Sequence, residues 1–266
     1  MKIICLNGWG GKMHDALLPY LKHEQPDILC LQEVVHSPAT SKSELTYRDG
    51  DHVLPQRANF FADVCAVLPT HAASFCPAAQ GVLWGGDTPV PSQWGLATFV
   101  SRDLPVIGQA QGFVHKTYGT DGYGDHPRSR SAHVVRVHDH EMGRSVTVGH
   151  MHGLRDLRGK MDTAERKAQA QAMLALFDSV VQEDDIAVIC GDFNVEPESE
   201  TLALMRQAGF EELVTSRNFP GTRTAQYLKP GRFADYMLVR GYDGTAEFDV
   251  IYSPEVSDHC PLVLTL

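Results

Sequence analysis

The sequence predicts a layered α/β fold with mixed or antiparallel strands. Three observations predict it. Apolar runs of strand length recur from one end of the chain to the other. Two of them, 132–137 and 145–150, flank the turn-like stretch HDHEMGR and read as a hairpin. Helical patterns are interleaved with such hairpins, which argues against a purely parallel, doubly wound sheet.

In chain order, residues 2–6 form a short apolar run that suits a buried strand. Residues 16–24 carry Leu17, Leu18 and Leu21 at helical spacing, with Pro19 tolerated only near a first turn. A second apolar strand follows at 27–31, then a helix at 58–68. Residues 76–91 are rich in Gly and Pro and read as a long loop, a feature that in compact domains is often functional. Trp84 and Trp94 bracket it, either pinning it to the core or stacking on a ligand. A strand at 95–100 precedes the hairpin. Asp162 opens a D-x-x-E pattern with Glu165, a capping-box signature, and Ala168, Met173, Leu176, Phe177 and Val180 then trace one helix face. The run 186–190 is a strand that stops at Gly191, and a helix spans 199–207. Three strand-like runs close the chain at 236–239, 247–251 and 262–264.

The 266 residues are 43% hydrophobic, enough for one large core, and no linker, repeat or low-complexity tract divides them. A single domain over 1–266, monomeric, is expected. The formal net charge of −10 gives no whole-surface grip on nucleic acid, although it leaves room for a local basic site. The first residues lack the apolar stretch of a signal peptide, and no window approaches a membrane span. The six cysteines are scattered without a C-x-x-C, and Cys5, Cys30 and Cys190 lie inside apolar runs. These features read as a reduced, cytoplasmic protein.

Polar residues recur beside the apolar runs. Asn7 ends the first; Gln32 and Glu33 end the second. His150 and His152 follow VTVG, and Asp192 and Asn194 follow IAVICG. Asp235 precedes YMLV, and Asp258 and His259 precede the final run. The ordinary reading of any one is a turn residue whose side chain bonds its own backbone. Together they are what a shared cleft at one rim of a sandwich requires. Hard divalent cations take carboxylate and amide oxygens, and phosphoryl chemistry places an imidazole beside developing negative charge.

CLNGWG at 5–10, LQEV at 31–34, MHG at 151–153, GDFN at 191–194, FADYMLV at 233–239 and SDHCPL at 257–262 resemble, in order, the motifs of the endonuclease/exonuclease/phosphatase superfamily. That group includes deoxyribonuclease I, exonuclease III-type repair nucleases, tyrosyl-DNA phosphodiesterase, neutral sphingomyelinases and inositol-phosphate phosphatases. The longer stretches HGLRDLRGKMDTAERKAQ and GTRTAQYLKPGRFADY resemble a bacterial subgroup of unassigned substrate. The resemblance implies a four-layer α/β sandwich like that of deoxyribonuclease I, with two packed mixed β-sheets flanked by helices. It implies Glu33 as the principal ligand of Mg²⁺ or Mn²⁺, helped by Asn7 and completed by Asp258. Asp192 would orient or deprotonate the attacking water, and Asn194 would hold that water or the phosphate. His259 would face the scissile phosphate with Asp235 on its other ring nitrogen. His152 would stabilise the phosphorane-like state or protonate the leaving oxygen.

The pattern departs from the exonuclease III-like branch in two places. Trp9 stands where an acidic residue is common, and His152 where a tyrosine is common. Both argue against abasic-site cleavage. Arg128, Arg130, Arg155, Arg158 and Arg223 are local cations, of which Arg130 and Arg223 are best placed for phosphate. The cluster GTDGYGDHPRSRS at 119–131 could shape a pocket for a smaller phosphoester. The expected activity is therefore a metal-dependent phosphodiesterase or nuclease acting on nucleic acid or nucleotide. The alternative is a phosphatase for a small phosphorylated molecule or lipid headgroup. Two rivals differ in kind: a zinc hydrolase using the H-x-H pair His150/His152, and a non-catalytic binding module on the same fold.

Overall fold

The computed structural model describes residues 1–120, 122, 124–242, 244 and 246–266. In chain order the strands of its first half are β1 (Lys2–Asn7), β2 (Ile28–His36), β3 (Glu44–Asp49), β4 (His52–Arg57), β5 (His71–Gly85), β6 (Thr88–Ser101) and β7 (Val106–His115). Those of its second half are β8 (Arg130–Asp139), β9 (Arg144–His152), β10 (Ile186–Asp192), β11 (Glu211–Glu212), β12 (Asp235–Arg240), β13 (Glu247–Val250) and β14 (Leu262–Thr265). The helices are α1 (His14–Glu24), α2 (Phe60–Val67), α3 (Ala164–Asp178), α4 (Glu200–Gln207) and α5 (Leu213–Ser216). The strands form an eight-stranded sheet, ordered β13-β14-β1-β2-β6-β5-β3-β4, and a six-stranded sheet, ordered β11-β12-β10-β9-β8-β7. Both are mixed: β1 runs parallel to β2 and antiparallel to β14, while β10 runs parallel to β9 and antiparallel to β12.

Side-chain alternation builds the layers. In β1, Ile3 and Cys5 belong to the core between the sheets, together with Val134, Val148 and Ile189. Ile4 and Leu6 point the opposite way and pack with Leu17, Leu21, Phe60 and Val64 of α1 and α2. Fully burying each of these aliphatic and aromatic side chains contributes about 1.5–3 kcal/mol. The second sheet is covered outside by α3: a Cβ on Gly149 would lie 2.7 Å from Met173 and 2.8 Å from Phe177. Helices, sheet, sheet, helices is the four-layer sandwich expected.

Four local expectations change. Residues 76–91 are no loop but most of the β5–β6 hairpin, paired from His71↔Ser101 to Gly85↔Thr88. Its prolines hid it. Proline is tolerated at bulges, and the ladder shifts register at Pro77/Ala79. Helix α3 is capped by Thr163, whose hydroxyl accepts from the Arg166 amide, while Asp162 accepts from the Glu200 amide and steadies α4 instead. The apolar face of α3 runs through Ala170, Met173 and Phe177, and Ala168 is exposed. Pro19 lies in the second turn of α1, which continues to Glu24 around the buried Leu17 and Leu21. β3, β4 and β7 carry mostly exposed or half-buried side chains and have no apolar run to announce them.

Candidate active site

Register places the functional side chains. β9, β10 and β12 are neighbours, and their pairings set His152 opposite Asp192 and Asp192 opposite Asp235. Three chemistry-bearing residues thus stand abreast at one end of one sheet. In the other sheet, Asn7 pairs with Gln32 at the matching end, and Glu33 follows. Glu33 does not end its strand, as the sequence implied. It sits inside β2 where the ladder with β6 shifts between Leu31 and Val34, with φ of 55°. The bulge re-aims this carboxylate into the cleft. Gly191 has φ of 146°, and a Cβ there would lie 2.1 Å from the Met151 carbonyl oxygen, so only glycine lets β10 pass β9 so closely.

Asp192 Oδ2 is the hub. It accepts from Asn7 Nδ2 at 3.0 Å and lies 3.6 Å from both His152 Nε2 and His259 Nε2. Its Oδ1 accepts from the Asn194 amide at 3.0 Å, a bond that fixes the carboxylate plane. Asn194 has φ of 54° and donates Nδ2 to the Gly153 carbonyl at 3.3 Å. Asn7 Nδ2 also donates to Glu33 Oε1 at 3.1 Å, while its Oδ1 accepts from the Trp9 amide at 3.0 Å. In this arrangement Asn7 separates two carboxylates as a neutral donor and does not turn its oxygen to them. Ser257 donates to the Asn7 carbonyl at 2.7 Å and brings Asp258 to the same rim.

His259 is held from both sides. Its Nδ1 lies 2.8 Å from each Asp235 oxygen, and Thr222 donates its hydroxyl to Asp235 Oδ2 at 2.8 Å. Arg223 donates to His259 Nε2 and reaches Asp258 Oδ2 at 3.3 Å. Burial, reinforced by Arg223, pushes the His259 pKa down to about 4; burial pushes Asp235 up to about 6. At neutral pH the pair is therefore a carboxylate accepting Nδ1–H from a neutral imidazole. Burial also holds His152 well below its ordinary value, with Arg130 adding to the effect. A neutral His152 donates a hydrogen bond and has no extra proton to give.

The donor set fits a hard divalent cation. The Glu33 pKa is raised to about 7, chiefly by burial and then by the nearby charges of Asp258 and Asp192, with Asn7 and Arg130 opposing the shift. Crowded carboxylates of this kind are what a bound cation relieves. Ligand atoms of Asp192, Asp235 and His259 also lie within 4.8 Å of one another. Because His259 Nδ1 is committed to Asp235, that group is better read as a hydrogen-bond relay.

Arg130 and Arg223 line the same cleft of 710 Å³. Arg130 donates Nε to the Gly153 carbonyl at 2.9 Å and stacks over Trp94, 4.9 Å from the ring centroid. Its buried Nη1 and the buried Nε of Arg223 have no hydrogen-bond partner among the described residues. Burial lowers the Arg130 pKa to about 10, so it stays cationic at neutral pH. Both guanidiniums thus keep one N–H without a partner among the described residues.

Other expectations fall outside the site. His150 is buried between the sheets, with Nε2 bonded to Thr98 at 2.8 Å and Nδ1 at 3.3 Å from Gln32 Nε2. Both nitrogens are occupied, which removes the His150/His152 pair as a zinc site on the cleft. Arg158 pairs with Asp156, and Arg128 with Asp49 and Tyr47. Trp84 packs under Arg48, while Trp94 lies 5.5 Å from the His152 ring and does line the cleft. In the 119–131 cluster, Asp121 and Tyr123 lie outside the described residues.

Sequence reasoning missed Thr222, the neighbour of Arg223 in GTRT, because only its geometry beside Asp235 gives it a role. It also missed Tyr47 and Asp49, which reach the cleft from a segment with no motif, whereas His126, Arg128 and Arg130 of the 119–131 cluster line it.

A family model described as Endonuclease/Exonuclease/phosphatase family matches residues 6–259. The chain belongs to this family. Its members are generally hydrolases of phosphoesters and typically depend on a divalent metal. Human sphingomyelin phosphodiesterase 2 is 24% identical over 205 residues, or 65% of this chain and 47% of that protein. The chain thus spans about half the length of this curated relative. Among solved structures, the human Nocturnin catalytic domain with bound sulfate is similar with a TM-score of 0.66 and 18% identity, over 99% of this chain and 92% of that one. A mannosyl-6-phosphatase from Bacteroides thetaiotaomicron VPI-5482 has a TM-score of 0.64 and 13% identity, over 100% and 98%. At these identities the structural likeness carries the fold. No helix among the described residues is long and apolar enough to cross a membrane, and all six cysteines are free.

Proposed function

We propose that this family member is a divalent-metal-dependent phosphoesterase that cleaves a phosphodiester, as a phosphodiesterase or nuclease, by in-line attack of an activated water. Residues 1–266 act as one domain, in monomeric form, and the free, mostly buried thiols suit the cytoplasm. The observation that carries the reading is the hub at Asp192: one carboxylate oxygen faces Asn7, His152 and His259 together, beside Glu33.

Glu33 and Asp258 would hold Mg²⁺ or Mn²⁺, which when bound supplies charge neutralisation at the phosphoryl oxygens. Asp192 accepts the proton of the attacking water as the new P–O bond forms and the P–O bond to the leaving group breaks; the leaving oxygen takes its proton from solvent, and Asn194 keeps the Asp192 carboxylate in plane. Arg130 and Arg223 offer their unspent N–H groups to the scissile phosphate. His152 donates a hydrogen bond where negative charge develops, and Asp235 holds His259 in the tautomer that presents Nε2 to the cleft. Asn7 keeps Glu33 and Asp192 apart.

A phosphatase acting on a small phosphorylated molecule or lipid headgroup is the second reading. The 710 Å³ cleft favours it, because that volume suits a compact substrate. A panel of phosphodiesters and phosphomonoesters, assayed with Mg²⁺, Mn²⁺ and chelator, tests both. The expected result is chelator-sensitive hydrolysis of at least one. Hydrolysis that persists without metal, or tight stoichiometric zinc in the purified protein, overturns the reading.

A further inference from the structure

Three cations at the rim of the cleft are unspent. Lys12, Arg155 and Lys229 line the same cavity as Glu33, Asp192 and His259. Their side chains form no hydrogen bond or ion pair with another described residue; Lys12 only lies over the Trp9 ring, 3.8 Å from its centroid. The other basic side chains there are engaged: Arg130 and Arg223 flank the catalytic groups, and Arg128 is bound to Asp49 at 2.7 Å. Of the carboxylates lining the cleft, Glu33, Asp192 and Asp258 belong to the centre, and Asp49 already faces Arg128.

This rim inverts the balance of a chain with 33 acidic and 23 basic residues. The three cations also reach one neighbourhood. The His52 imidazole lines the cleft, and its pKa is lowered first by burial, then by Arg155, Lys229 and Lys12, with Asp49 opposing them. Exposed like charges that converge without a counter-charge repel one another, and an anion relieves that repulsion.

We propose that Arg155, Lys229 and Lys12 form a second anion subsite, which binds a phosphoryl group of the substrate other than the one that is cleaved. The inference rests on the phosphoesterase reading and narrows it to substrates with at least two phosphoryl groups. Such a group can come from an oligonucleotide end or from a small bisphosphorylated metabolite, since both offer the same oxygens to guanidinium and ammonium donors. A headgroup with an ammonium at its far end is disfavoured, because it would face three like charges.

Two matched pairs of probes test this: dithymidylate with and without a 5′-phosphate, and a hexose bisphosphate against its monophosphate. Dissociation constants of the full chain are measured by calorimetry in EDTA, where turnover is absent, and KM values with Mg²⁺. In at least one pair the second phosphate should tighten binding about tenfold, equivalent to about 1.4 kcal/mol. Which pair responds identifies the source. Arg155→Ala/Lys229→Ala, at two exposed positions, should reduce that preference to about twofold or less, and adding Lys12→Ala should abolish it. Equal affinities within both pairs, or a preference that survives the triple variant, overturn the subsite. Preference without hydrolysis of any substrate sinks the phosphoesterase reading and leaves the subsite standing; hydrolysis without preference does the reverse.

Discussion

Asn7 and Asp192, 185 residues apart in sequence, meet at 3.0 Å. The bond joins the last residue of β1 in one sheet to the last residue of β10 in the other, across the mouth of the sandwich. Because the same amide donates to Glu33, a neutral group lies between two carboxylates. Asn7→Asp would replace that donor with another negative charge. The expected loss in kcat/KM is about 10²–10³. The variant should also melt earlier in chelator and recover part of the difference in Mg²⁺. Calorimetry with and without metal checks this, and a melting temperature that ignores both the substitution and the metal contradicts it.

As the proposed metal ligand, Glu33 would make metal binding pH-dependent. Its pKa is raised to about 7, chiefly by burial and then by Asp258. Below that pH the carboxyl is protonated in the metal-free protein, and the cation must displace the proton. Affinity for Mg²⁺ should therefore fall as pH drops through about 7, by up to roughly tenfold per unit, and binding should release a proton near neutrality. Titrations in buffers of different ionisation enthalpy read that proton directly. Glu33→Gln should remove both the proton release and most of the affinity.

How much of this was legible in the sequence depended on burial. β1, β2, β9, β10 and β12 are buried on both faces, so they read as continuous apolar runs, and the polar residues that interrupt or border those runs stood out. The motif residues of the site could be named for that reason. β3 and β4 were invisible because one hairpin at a sheet edge needs few apolar side chains, so Tyr47 and Asp49 were missed. The β5–β6 hairpin was concealed by its glycines and prolines. Glu33 does face the cleft but was placed at a strand end, because a bulge inserts a residue into a ladder and leaves no compositional mark. The direction of the Asn7 amide depends on Asp192, and the occupancy of both His150 nitrogens on Gln32 and Thr98, partners that are distant in sequence and meet only in the fold.

Gly191 tests whether the passage of β10 past β9 needs a bare backbone. At φ of 146° a side chain is strained, and a Cβ would sit 2.1 Å from the Met151 carbonyl oxygen, an atom that cannot rotate away. Gly191→Ala should cost about 1–3 kcal/mol of stability, and because Asp192 follows directly, activity should fall as well. Urea unfolding measures the first and kcat the second. A variant as stable as the parent would show that the strands can part without cost.

Thr222 supplies the last test, because its hydroxyl acts through other groups. It donates to Asp235 Oδ2 at 2.8 Å and accepts from the amides of Ala234 at 3.2 Å and Asp235 at 3.1 Å. Removing the hydroxyl in Thr222→Val leaves buried donors unpaired, at a cost of about 1–3 kcal/mol. It also removes a bond that holds the Asp235 pKa down against burial, so that pKa should climb above about 6. A protonated Asp235 no longer accepts Nδ1–H from His259 as a carboxylate. The acid limb of the kcat–pH profile should therefore move to higher pH in Thr222→Val and return in Thr222→Ser, while KM changes little. Asp235→Asn, which cannot titrate, should lose about 10²–10⁴ in kcat at every pH. A purely structural role for Thr222 would lower stability and leave the acid limb where it was.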